Sequence, residues 1–141
     1  FMKTLRSAIV AMALLLAVSG AYAQSINVGS NVPFDFVVGK QVLPAGEYSL
    51  QSVEQAPDAL TIRNREAKAS GLTMTHRCEK LNPATKTVLV FHRFGDQYFL
   101  SEVWVEGSTR GITIPQSPLE IQMAKNHETR DQVIVAANIT R

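Results

Sequence analysis

His76 and Cys78 are two residues apart in a segment of alternating hydrophobicity, so both project to one face. With His92 in the next apolar run, they bring together the ligand types that could hold a soft metal ion. Strand rise argues against it. If the loop around Asn82-Pro83 closed a hairpin, three or four positions would separate His76 from His92, on the order of 10 Å or more. Their neighbours Leu72, Met74, Val88 and Val90 are apolar. The sequence therefore predicts neither a metal site nor a cofactor.

A second constellation surrounds Gly95-Asp96. His92 and Arg93 precede this turn, and Tyr98, Glu102 and Trp104 follow it. The guanidinium of Arg93 suits a bidentate carboxylate or other anion. Trp104 stands between Glu102 and Glu106 and could stack on a sugar. The plainer use is structural, with Asp96 capping turn amides and Trp104 in the core. The two glutamates are about 14 Å apart along a strand, too far to act as a glycosidase pair. Arg93, Asp96, Tyr98, Glu102 and Trp104 are the candidate binding face.

No G-x-S-x-G elbow frames a serine, and no phosphate loop, dinucleotide fingerprint, calcium loop or Cys/His zinc spacing is present. A non-enzymatic protein is the expectation.

Such a face needs a scaffold, and the first 23 residues are not part of it. Lys3 and Arg6 form a positive start, Ala8 to Val18 an apolar run, and Ala21-Tyr22-Ala23 a small-residue cleavage site. This is the pattern of a secretory signal peptide. The apolar run is short of the roughly 20 residues that a membrane span needs. Export to the periplasm or the exterior follows, with no membrane span after cleavage. Removal leaves 118 residues, one domain's worth, with twelve basic and twelve acidic side chains. That neutral surface offers no footprint for nucleic acid. Cys78 is the one cysteine, so no internal disulfide supports the fold.

Residues 24–31 are polar and read as a flexible start. From Val32 to the C-terminus short apolar runs alternate with turn residues, the mark of a single all-β domain. Strands are predicted near 32–38, 41–43, 47–53, 59–64, 71–78, 87–94, 97–106, 112–114 and 132–139. Residues 87–94 are apolar on both faces and should lie centrally. Gly95-Asp96 fits a two-residue hairpin turn. Ser117-Pro118-Leu119-Glu120 matches a capping box, with Glu120 reaching back to the cap and a helix over about 118–126 closing one end of the sheet. The predicted fold is an antiparallel sandwich or small, partly open barrel of about seven to nine strands. The first or last strand could form an exposed edge.

Val32-Pro33-Phe34-Asp35-Phe36, Leu43-Pro44-Ala45-Gly46-Glu47-Tyr48, Phe91 to Leu100 and Val103-Trp104 together span most of the mature chain. As a set they resemble a family of small secreted acidobacterial proteins. The resemblance implies export and a β domain with a late helix, and brings no activity with it. The expected function is a binding or structural module facing a protein or cell-envelope partner. A lipocalin-like carrier is the first alternative, with a cavity lined by Phe36, Leu50, Met74 and Phe91. A small hydrolase is the second, requiring a His, a carboxylate and a nucleophile within hydrogen-bond reach.

Overall fold

The computed structural model describes residues 25–66, 68–126 and 129–140. The leader, residues 1–23, lies outside them. The chain runs β1 (Asn27–Val32), β2 (Phe36–Val38), β3 (Gln41–Leu43), β4 (Gly46–Val53), β5 (Ala56–Asn64), β6 (Ser70–Met74), β7 (His76–Glu79), β8 (Val88–Phe94), β9 (Gln97–Trp104), β10 (Arg110–Thr113), α1 (Pro118–Lys125) and β11 (Arg130–Ile139).

Antiparallel pairing runs from β10 through β9, β8, β11, β1, β4 and β5 to β6. On its other edge β10 pairs β7. Thr75 alone separates β6 from β7. The two therefore behave as one bent strand, and the sheet wraps into a nearly closed barrel. β2 joins β9 in parallel at Val37 opposite Phe99, and β3 pairs β2. Among the described residues, the predicted all-β fold with one short helix is the fold observed.

The interior is filled from every side. Val28 and Val32 of β1, Leu50 of β4, Ile62 of β5, Phe91 of β8 and Val103 of β9 belong to one buried cluster. Phe36 packs edge-on against both Tyr48 and Phe91. Each fully buried phenylalanine contributes roughly 1.5–3 kcal/mol by leaving water. A smaller cluster of Val37, Phe94 and Phe99 lies apart from it and is covered by Met123 of α1. The helix thus covers β2, β8 and β9, rather than closing an end as the sequence predicted.

Four other expectations need correction. The segment 24–31, expected to be a flexible start, is a strand over most of its described part: β1 begins at Asn27 and pairs with both β4 and β11. Its alternating Val28, Ser30 and Val32 are buried, so a small-residue sequence suffices once both edges are paired. The predicted strand 32–38 is broken at Pro33–Asp35, where Asp35 accepts a 2.8 Å hydrogen bond from the amide of Ala45. The predicted strand 71–78 is split at Thr75 and turned over. Leu72 is 66% exposed and Met74 58%, while Gly71 and Thr75 face inward. Gly71 lies beside Leu43 and Gln41, whose side-chain atoms would stand 3.5 and 3.2 Å from a Cβ there, and the hydroxyl and amide of Thr75 donate to the carbonyl of Asp58. Finally, β11 is flanked by β1 and β8 and is not an edge.

The loop between β7 and β8 closes no hairpin. The Lys80 and Ala84 amides donate to the carbonyls of Thr109 and Ser108, and the Gly107 amide donates to that of Ala84. The loop is therefore laced to the β9–β10 turn and delivers β8 to the far side of β9.

Candidate functional site

The candidate binding residues divide into two groups along β9. Arg93 and Tyr98 lie opposite each other beside the β8–β9 turn. Gly95 carries the positive φ of 58° there. The Nε of Arg93 donates to the Gly95 carbonyl at 2.8 Å, and its guanidinium carbon is 5.7 Å from the Tyr98 ring centroid. Tyr98 stacks on Phe34 with centroids 3.8 Å apart. Asp96 is exposed at the turn.

Glu102 and Trp104 lie further along β9, Trp104 about 20 Å from Tyr98 by strand rise. Trp104 is 3% exposed and offers no open face for a sugar. Its Nε1–H donates to Glu102 at 3.1 Å, and the Lys80 ammonium is 3.9 Å from its ring centroid. Trp104 and Cys78 both lie opposite Gly111, one on each side of β10. Burial, with the Glu102 carboxylate as a lesser cause, pushes the Cys78 thiol up, and the hydrogen bond with the Gly111 backbone opposes this.

His76 and Cys78 are on β7 and His92 is on β8, with β10 and β9 between them. Among the described residues no group of three His, Cys, Asp or Glu side chains converges as metal ligands would.

A concavity opens at one end of the barrel. It encloses about 660 Å³ and is formed by residues 25–26, the β4–β5 turn, the β6–β7 joint and the β9–β10 turn. Ile26, Val105 and Ile112 line it and also pack on the core, giving an apolar floor. Ser52, Thr75, Ser108 and Thr109 supply hydroxyls around it, and Arg77, Arg110, Glu54 and Glu106 supply charge. Its walls are tied in place. The Ser52 amide donates to the Ile26 carbonyl and the Ile26 amide to the Ser52 hydroxyl, both at 2.9 Å. Arg110 approaches Glu79 at 3.6 Å, but both are exposed and the pair is weak. The four residues foreseen to line a carrier cavity do not face one common space: Phe36, Leu50 and Phe91 are buried in the core, and Met74 faces outward. A shallower hollow of about 430 Å³ is lined by Gln41, Thr61, Arg63, Ser70, Gly71 and Leu72.

A third assembly escaped the sequence reading. Glu120 does not reach back to its helix cap. Its amide donates to the Ser117 hydroxyl at 3.1 Å, but its carboxylate is 2.7 Å from Nδ1 of His92. Nε2 of His92 is 3.1 Å from the hydroxyl of Ser101. Ser101 is the extra residue of a β-bulge: Leu100 pairs with Phe91 and Glu102 with Val90, leaving Ser101 unmatched. The one local hint was an acidic residue at the third helical position, for which two partners competed.

Among the described residues no helix is long and apolar enough to cross a membrane. No protein-family model, curated protein or solved structure matches the chain.

Proposed function

We propose that this protein is an exported β-barrel binding module that takes a small amphipathic ligand end-on into its mouth. The observation that carries the reading is the open cavity of about 660 Å³, with an apolar floor and a rim of hydroxyls and charges. Concave sites of this size, apolar with a few polar groups, are the usual form of a small-molecule site. The floor would take the ligand's apolar body. Arg77, with Arg110 beside it, offers a guanidinium for a carboxylate or similar anion at the outer end, on a rim that Glu54 and Glu106 also share. Hydrogen bonds already hold the walls, so little ordering cost falls on binding. Export rests on the leader pattern and on the resemblance to secreted acidobacterial proteins, and it supplies a setting in which a small carrier or receptor is useful.

Trp104, the single tryptophan, is behind Gly111 in the cavity wall and can report occupancy. Decanoate titrated into the purified protein should change Trp104 emission saturably. Ile112→Trp, which fills the floor, and Arg77→Ala, which removes one cation, should each weaken binding. In the first variant the added indole requires a separate readout, such as calorimetry. A linear, non-saturating response in the parent protein would refute the reading.

A further inference from the structure

We propose that Ser101 is a nucleophile activated by His92, with Glu120 as the positioning residue, and that the three form an ester-cleaving site. The order and spacing are those of a serine–histidine–carboxylate relay: 3.1 Å from hydroxyl to Nε2, and 2.7 Å from Nδ1 to carboxylate oxygen. Three features go beyond a chance polar contact. A carboxylate only accepts, so Glu120 fixes the proton on Nδ1 and leaves Nε2 free to accept from Ser101. Glu120 is 3% exposed and held at the start of α1, so its attraction for His92 is little screened by solvent. Ser101 stands at a bulge, a device that re-aims a side chain out of the regular ladder, and both Ser101 and His92 remain partly exposed. The relay draws on β9, β8 and α1, so the missing G-x-S-x-G elbow does not bear on it.

The chemistry balances without a cofactor. The Ser101 oxygen attacks the ester carbonyl as its proton passes to Nε2 of His92. The acyl–oxygen bond then breaks, and the departing alkoxide takes that proton. Water attacks the acyl-serine, His92 receives the water's proton, and the serine oxygen leaves with it. One ester and one water become one acid and one alcohol. Ser101 and His92 are only partly exposed, so a short-chain ester is the substrate class best able to reach the hydroxyl.

The test uses a fluorophosphonate probe and p-nitrophenyl acetate on the whole protein. Peptide mass spectrometry should find the phosphonyl group on Ser101. The rate should fall about 100-fold in His92→Gln and substantially in Glu120→Gln, both checked for native circular dichroism. Ser101→Ala should abolish acetate turnover. The proposal is overturned if Ser101 is not labelled, if labelling spreads over other serines, if it proceeds equally in folded His92→Gln, or if acetate turnover survives in Ser101→Ala. Any of these would reduce the three residues to a tie between helix and sheet.

Discussion

The backbone of Gly111 lies against the indole of Trp104 so closely that a Cβ on Gly111 would come within 2.6 Å of the ring carbon Cε3. The ring cannot retreat, because Trp104 is buried. Gly111→Ala should therefore destabilise the barrel by about 1–3 kcal/mol through overpacking. Urea unfolding followed by tryptophan emission will show it. An unchanged midpoint would mean that the β9–β10 contact is looser than described.

Tyr48 donates its hydroxyl to the carbonyl of Pro44, four residues back, bracing the turn that begins β4. Burial, assisted by the nearby Asp35 charge, pushes its phenol above the ordinary value of 10.0, against a lowering hydrogen bond with Asn64. A group whose folded value is raised contributes stability that is complete below its unfolded value and is lost as pH climbs through the folded one. Unfolding free energy should hence fall above about pH 10. Tyr48→Phe should flatten that alkaline slope while costing about 1 kcal/mol at neutral pH. Denaturant curves from pH 7 to 11 compare the two proteins.

Cys78 should react slowly. Its raised thiol holds less thiolate at any pH below its folded value, and the thiolate is the reactive form. Iodoacetamide at pH 8 should modify it more slowly than it modifies the same protein in urea. Glu102→Gln removes the lesser of the two raising causes and should quicken the folded-state reaction, with stopped-rate mass spectrometry as the readout.

Ser117 caps α1 through the amide of Glu120. Ser117→Ala should cost about 1 kcal/mol. The loss should appear chiefly as faster amide exchange in residues 118–125, because Met123 and Glu120 are what hold the helix to the sheet.

Local rules made part of this fold legible. The hairpin at Gly95-Asp96 and the cap at Ser117 each follow from a few adjacent residues. Both-face apolarity of residues 87–94 marked a central strand; the structure has Leu89 and Phe91 in the main core and Phe94 under the helix. What escaped was long-range. β1 carries almost no hydrophobic signal and exists because β4 and β11 pair with it. The inversion of β6 places Gly71 beside Leu43, a juxtaposition of distant segments. The His92–Glu120–Ser101 assembly joins three elements, and no spacing in the chain announces it. Of the face assigned to Arg93, Asp96, Tyr98, Glu102 and Trp104, Arg93 and Tyr98 stay together at the hairpin end, while Trp104 is buried with its indole bonded to the half-buried Glu102. The mouth collects residues from four separate segments, each unremarkable alone.

Residue-resolved NMR shifts on adding decanoate to isotope-labelled protein test the mouth reading most directly. Saturable shifts should concentrate on Ile26, Val53, Thr75, Arg77, Val105 and Ile112, and leave Phe94, Phe99 and α1 unmoved. Shifts that centre instead on Arg93 and Tyr98, or that spread evenly without saturating, would contradict a ligand site at the end of the barrel.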